Sequence, residues 1–236
     1  MSNKSAHPIE EECSTYSLTL TDQIYFRIKD LIFKQQIVPG QKLHHDYLSE
    51  RLKVSTTPVR EAINRLVQED YVRNVPRKGY YLNEITIDEA EELYAFRELI
   101  ELYTVEKACA LGDETPIKDL QENAAQYFDY VQKPICMERL LVEQEFHLGI
   151  AGACDNRFIK STLEKIFARL ILKRSLEGFP QRGAEVYKEH EMILNCIMGQ
   201  EVARAKELVR EHIRKGRDNF ISYLKRRKQQ TSAPDS

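Results

Sequence analysis

The sequence predicts a mainly α-helical chain: an N-terminal winged helix-turn-helix followed by an antiparallel all-helical bundle of six or seven helices. Three observations lead there. Apolar residues recur at helical spacing along most of the 236 residues. One short stretch, residues 71–82, changes to β-prone runs around Pro76-Arg77-Lys78-Gly79. Glycine (9) and proline (8) are too sparse for a loop-rich β-sandwich.

Residues 1–18 are polar and aperiodic and are expected to form a flexible tail. Thr21 is the expected cap of a first helix whose stripe is Ile24, Ile28, Leu31 and Ile32, and Pro39-Gly40 stops it. A short second helix is expected over about 46–52, with Tyr47, Leu48 and Leu52 apolar. Ser55-Thr56-Thr57-Pro58 opens a third. The hydroxyls can cap it, and proline is tolerated in a first turn, where its missing N–H would have no partner. Val59, Ile63, Leu66 and Val67 supply its stripe. Tyr71–Val75 and Tyr80–Leu82 then read as a small hairpin, so residues 19–83 form the winged domain. Thr86 or Asp88 can cap the next helix.

Residues 84–228 read almost wholly as helix. Leu93, Phe96, Leu99, Ile100 and Tyr103 form one stripe, and Leu141, Phe146 and Ile150 another. Phe158, Leu163, Ile166, Leu170 and Ile171 continue the pattern, followed by Val186, Ile193 and Ile197, then Val202, Leu208 and Val209. Breaks at Gly112-Asp113, Lys133-Pro134, Gly178–Gly183 and Gly199-Gln200 divide the bundle. Residues 229–236 form a second polar tail.

Composition narrows the classes. Hydrophobic residues at 42% and charged residues at 31% suit a packed core rather than a disordered chain. The 35 basic and 37 acidic residues leave a net charge of −2, so any basic surface must be local. No apolar run approaches the roughly 18–20 residues of a membrane span. The first 17 residues lack the apolar core of a secretory signal. The five cysteines are odd in number and show no CxxC spacing, which fits reduced thiols in a cytoplasmic protein.

The local basic surface lies within Arg51–Lys78. Seven basic residues (Arg51, Lys53, Arg60, Arg65, Arg73, Arg77, Lys78) face three acidic ones, a local excess of four. Cations on a third helix and a wing are what phosphate contact requires. Arg60, opposite the apolar stripe near the helix start, is placed to grip guanine O6 and N7. Ser55, Thr56 and Thr57 suit phosphate oxygens. Arg77 and Lys78, with Gly79 allowing close approach, suit the minor groove or its flanking backbone. Arg65 belongs to the same basic set, although a single Lys or Arg is more often part of an ordinary solvated face.

Val54-Ser55-Thr56-Thr57-Pro58-Val59-Arg60-Glu61-Ala62-Ile63-Asn64-Arg65-Leu66 resembles the helix-turn-helix signature of GntR-family bacterial transcription regulators. Val38-Pro39-Gly40-Gln41-Lys42-Leu43 and Arg77-Lys78-Gly79-Tyr80 are similar to that family's lead-in and wing. Two departures stand out. Lys53 replaces the usual glycine of the turn, so a residue with a Cβ is expected in a left-handed conformation. Thr56 stands where many members carry arginine, which implies an altered operator sequence.

Six histidines are present. His7, His44 and His45 fall in the tail or near the second helix and suit exposed or capping roles. His147, His190 and His212 fall in the bundle. Glu143 precedes His147 by one helical turn, on the same face. His190 and His212 flank the Gly199-Gln200 turn at heights of roughly 13 and 18 Å, so facing side chains can meet near one centre. One carboxylate and three imidazoles make a first shell for Zn²⁺, Ni²⁺ or a similar divalent ion. Packing is the commoner fate of a helical histidine.

The resemblance extends to this half. Glu143-Gln144-Glu145-Phe146-His147, Glu189-His190-Glu191-Met192-Ile193 and Arg210-Glu211-His212 resemble the ligand-binding (FCD-type) domain of the FadR-type GntR branch, as does Arg97-Glu98-Leu99-Ile100-Glu101. Metal-binding members carry Asp, His, His and His at the matching positions, so the resemblance implies Glu143, His147, His190 and His212 as ligands. A small carboxylate would occupy the open positions, with Arg97, Asn156 and Arg169 as candidates to pair with it.

The expectation is a homodimeric, non-enzymatic repressor on an approximately palindromic DNA operator. A small organic acid bound at or near a metal in the bundle would control it. Two alternatives stay open at this stage: a metal-dependent hydrolase using Glu143 and the histidines, and a DNA-binding protein whose bundle only dimerises.

Overall fold

The computed structural model describes residues 18–111, 120–121, 127–129, 136–174 and 182–231. The chain divides between Glu84 and Ile85 into two compact units. The expected tails at 1–18 and 229–236 lie outside the described residues, apart from Leu18 and residues 229–231.

In the first unit α1 (Leu20–Phe33) begins two residues before the expected position. Thr19 is the cap: its hydroxyl accepts from the Asp22 N–H at 3.1 Å, and the Asp22 carboxylate accepts from the Thr19 N–H at 3.0 Å. This reciprocal pair satisfies two backbone donors that the first turn leaves open. Ile24, Ile28 and Ile32 are buried and α1 packs on α3 (Thr56–Gln68), whose Val59, Ile63 and Leu66 are buried too. Full burial of such a side chain contributes about 1.5–3 kcal/mol. Between them, α2 (His45–Leu52) ends on Lys53 at φ 57°, ψ 47°, the left-handed conformation expected from its replacement of glycine. The Val54 N–H reaches back to the Ser49 carbonyl at 3.1 Å and closes the turn. Tyr47 of α2 is exposed rather than part of the core.

The hairpin is present as β2 (Val72–Val75) and β3 (Gly79–Leu82), antiparallel, with Val72 opposite Leu82 and Val75 opposite Gly79. A third strand, β1 (Lys42–Leu43), was not expected. It pairs with β3 and gives the sheet order β1-β3-β2. Gly79 has φ +100°, a backbone conformation that side-chain-bearing residues rarely adopt, so the wing turn favours glycine there.

The second unit contains five helices among the described residues: α4 (Ile87–Leu111), α5 (Met137–Gly152), α6 (Arg157–Leu172), α7 (Gly183–Met198) and α8 (Val202–Thr231). Thr86 caps α4, its hydroxyl accepting from the Glu89 N–H at 3.1 Å. The break at Gly199-Gln200 lies between α7 and α8; those at Gly112-Asp113 and Lys133-Pro134, and most of Gly178–Gly183, lie outside the described residues. α4 packs along α8 and also meets α5, α6 and α7. The core includes Phe146, Ile150, Ile166, Leu170, Ile193 and Phe220.

One expected stripe is divided: Leu93 and Ile100 pack against the core, and its other members face outward. Phe96, Leu99 and Tyr103 of α4 are exposed, Leu99 by 69%. The inward face carries Tyr94, Arg97, Glu101, Thr104 and Val105. An apolar stripe was read as the buried one because charged residues occupy the true interior face. Phe158 and Val202, also read as core, are exposed at the starts of their helices.

Candidate nucleic-acid interface and metal centre

On the first unit, Ser55, Thr56, Thr57 and Arg60 are exposed over the first turns of α3, and Arg77 and Lys78 are exposed at the wing tip. Pro58 and Val59 bury the opposite side of the same turn, which is why the hydroxyls and Arg60 point outward. Ser55 is the N-cap, but its side chain makes no capping hydrogen bond, so its hydroxyl remains available. Arg77 has φ 63°, a left-handed residue that turns the wing beside Gly79. Arg65 differs. Its guanidinium bonds the carboxylates of Asp22 at 3.0 Å and Glu69 at 3.1 Å and stacks 3.9 Å from the centre of Tyr25. Its charge is paired within the fold, which fits a structural role better than phosphate contact. Sequence reasoning missed Asn64, one turn beyond Arg60 and exposed; its Oδ1 accepts from the Tyr80 hydroxyl of β3 at 3.3 Å and ties α3 to the wing.

On the second unit, α5, α7 and α8 bring His147, His190 and His212 together. All three are buried, and their ligand atoms lie within 4.8 Å of one another. Two of the rings have a carboxylate behind them. Glu101 of α4 receives His147 Nδ1 at 2.6 Å, and Glu189 of α7 receives His212 Nδ1 at 2.8 Å. Burial would raise both carboxyls, but Arg97 and His147 outweigh it at Glu101, and His212 and Arg182 at Glu189, holding each at about 2. A carboxylate ionised at neutral pH only accepts, so Nδ1 is the protonated nitrogen in both rings. Burial holds the His147 ring below its ordinary pKa, against the opposing pull of Glu101.

With Nδ1 of each ring turned to a carboxylate, the two Nε2 atoms face each other 3.2 Å apart. A cation between them, a proton or a metal ion, would satisfy both nitrogens. Two imidazole nitrogens bound tetrahedrally at about 2.0–2.1 Å from one Zn²⁺ would be roughly 3.3 Å apart. His190 completes the group. It stacks on Phe146 at 3.8 Å, and both of its buried ring nitrogens lack a hydrogen-bond partner among the described residues. Burial holds it well below the usual histidine pKa. The donor set therefore fits a divalent ion of the zinc or nickel kind.

Residues 20–82 match the bacterial regulatory proteins of the gntR family, and residues 92–215, more than half of the chain, match the FCD domain. This chain belongs to the GntR family, with an FCD domain. Among similar proteins, the Nta operon transcriptional regulator of Aminobacter aminovorans is 25% identical over 187 residues, 79% of this chain and 88% of that protein. The HTH-type transcriptional repressor GlaR of Escherichia coli K12 is 25% identical over 207 residues, covering 83% and 94%. Of solved structures, E. coli McbR/YncC superposes with a TM-score of 0.72 at 22% identity over 89% of this chain and 99% of that one. A GntR regulator from Rhodococcus sp. RHA1 gives 0.71 at 17% identity, covering 86% and 97%. The two structures share the fold. This GntR-family chain is a DNA-binding transcription regulator, and the relatives named above are regulators too, which gives the hydrolase alternative no support.

Within the regulator's FCD domain the other expected site residues fare differently. Arg97 is buried: its Nε donates to Glu101 at 2.7 Å, its plane lies 4.3 Å from the centre of Phe167, and its buried Nη2 has no hydrogen-bond partner among the described residues. Glu143 is half-buried one turn before His147, outside the trio of histidines but close enough for its charge to act on Arg97 and Tyr127. Asn156 is exposed, and its Oδ1 accepts from the N–H groups of Phe158 at 3.0 Å and Ile159 at 3.3 Å, a helix cap. Arg169 is partly exposed and bonds Glu89 at 3.2 Å. Both are corrections to the expected effector set: each has a structural partner of its own. Glu101 and Glu189, the carboxylates behind the ligands, were not in the expected site. The Arg97–Glu101 spacing of four residues was the available signal, a helical ion pair.

Proposed function

We propose that this regulator is a homodimeric repressor whose affinity for a roughly palindromic operator is set by a small carboxylate bound beside a divalent ion in the FCD domain. One observation carries the reading. Three buried imidazoles bring ring nitrogens within 4.8 Å of one another, beside a buried guanidinium whose Nη2 has no hydrogen-bond partner among the described residues. His147, His190 and His212 would hold the ion, with Glu143 as the fourth ligand if its side chain turns inward. The ion supplies a Lewis-acidic anchor for a carboxylate, and Arg97 Nη2 supplies a charge-assisted hydrogen bond. Ser55, Thr56, Thr57, Arg60, Arg77, Lys78 and Gly79 contact the operator, Arg60 reading a base edge and the others backbone.

Two copies match two half-sites. The exposed stripe of Phe96, Leu99 and Tyr103 on α4 supports pairing, since apolar residues at one-turn spacing favour a partner surface. An effector switches the protein only as far as its affinity differs between the operator-bound and free states.

The test uses the full-length chain. Zinc or nickel content after dialysis should be near one per chain and fall in His147→Ala. With metal present, a panel of small mono-, di- and hydroxycarboxylates should raise the melting temperature for at least one member, and that member should shift operator affinity. Arg60→Ala should weaken operator binding without altering the melting temperature. Equal metal content in parent and mutant, or no response to any acid, rejects the regulatory half; unchanged operator affinity in Arg60→Ala rejects the reading head.

A further inference from the structure

We propose that Glu101 and Glu189 are the positioning residues of the histidine site. Each fixes one imidazole as the Nδ1–H tautomer and aims its Nε2 at a shared point. Among the described residues, His190 is the arm held by stacking alone. The inference deepens the metal reading above and rests on it only where metal affinity is measured.

The three rings are held in two different ways. His147 and His212 each have Nδ1 committed to a carboxylate oxygen, at 2.6 and 2.8 Å. An imidazole so held cannot rotate without breaking a charge-assisted hydrogen bond, and a carboxylate on the far nitrogen makes the near one a better donor to a cation. His190 has no such partner among the described residues. Its plane is set by Phe146, nearly parallel at 7°, and by Tyr127, whose ring centre is 5.4 Å away.

The two carboxylates are themselves anchored, and differently. Glu101 is divided between His147 through Oε2 and Arg97 through Oε1, both bonds buried. A group that engages Arg97 therefore acts on the residue that orients His147. Glu189 gives Oε2 to His212 and Oε1 to Arg182 at 2.9 Å and Lys215 at 3.2 Å, at the protein's edge. Glu101 thus couples His147 to the interior, and Glu189 couples His212 to the surface.

The experiment uses the full-length chain with ¹⁵N-labelled histidine. Long-range ¹H–¹⁵N spectra of the metal-free chain, above pH 8, should show two rings with a hydrogen-bonded Nδ1–H. Glu101→Gln should perturb one of those and Glu189→Gln the other. Zn²⁺ affinity from chelator competition should fall about 10- to 100-fold in each variant, with no change in Glu98→Gln, a surface carboxylate paired with Arg214. Finding the proton on Nε2 of either ring overturns the proposal. So does unchanged Zn²⁺ affinity in both variants of a chain that binds zinc. If Glu101→Gln does not fold, Glu189→Gln decides, because Glu189 lies at the edge. If the parent shows the expected tautomers yet binds no zinc, the positioning role stands and the metal reading falls.

Discussion

The two units of this regulator use charge in opposite ways. In the DNA-binding unit, Arg60, Arg77 and Lys78 are exposed, and the fold does not depend on where their charges lie. In the FCD unit, Arg97, Glu101 and three histidines are buried, and Arg97 and Glu101 are paired with each other. Moving a charge out of water is costly, so a buried charge becomes part of the fold and a surface charge remains part of the function. A substitution should therefore separate stability from binding in the first unit and confound them in the second.

The sharpest way to break that contrast is Glu101→Leu. It leaves the Arg97 guanidinium buried without its partner, and the expected loss is about 3–5 kcal/mol. Thermal unfolding should move down by roughly 10 °C for a domain of this size; a shift below a degree would show that the pair carries no such burden. The matching change on the other unit is Arg77→Ala with Lys78→Ala. Stability should stay within about 0.5 kcal/mol. Operator affinity should fall by about tenfold or more, and the slope of log affinity against log salt should flatten by about two for each half-site, about four for the dimer. An unaltered slope in a salt titration would place the wing away from the phosphates.

A smaller effect is expected at Lys53. A residue with a Cβ in the left-handed conformation is disfavoured by about 1 kcal/mol against glycine, so Lys53→Gly should stabilise the DNA-binding unit by that order. Chemical denaturation followed on that unit would register it as a higher midpoint at unchanged slope.

The smallest effect concerns alkaline pH. Tyr25 is raised above its usual value by burial and by its bond to Glu69. The unfolded chain releases that proton near pH 10 and the folded chain does not, so this stability is complete below about pH 10 and is lost as pH rises beyond it. Lys29, which burial pushes down, works in the opposite sense. Tyr25→Phe should flatten the alkaline fall in melting temperature; an identical fall in the variant would assign it elsewhere.

Much of this architecture is legible in the residues, and the failures share one cause. The first-helix stripe Ile24-Ile28-Ile32 and the turn residues Lys53 and Gly79 read correctly because local periodicity and backbone sterics act on the chain itself. Strand β1 escaped because two residues are too few to show a period. On α4 only Leu93 and Ile100 of the apolar stripe meet the core, because hydrophobicity marks a face as apolar without saying what faces it. The inward face of α4 holds an ion pair, and the rest of the stripe is exposed in the isolated chain. Asn156 is among the clearest cases: its residue type suits a ligand contact or a cap equally, and the backbone at the start of α6 takes the cap.

The sequence alone determined which segments of the DNA-binding unit are helical to within a residue or two, which turns need glycine or tolerate its loss, and which motif marks a DNA-reading unit. These follow from covalent geometry, side-chain shape and residue order, all of which are local. Tertiary structure alone decided which charges are buried, that three histidines from three helices share one point, and that Glu101 and Glu189 stand behind two of them. Those relations join residues as far apart as Glu101 and His147, or His147 and His212. No local rule connects such distant positions; only the packing of α4, α5, α7 and α8 brings them within hydrogen-bonding reach.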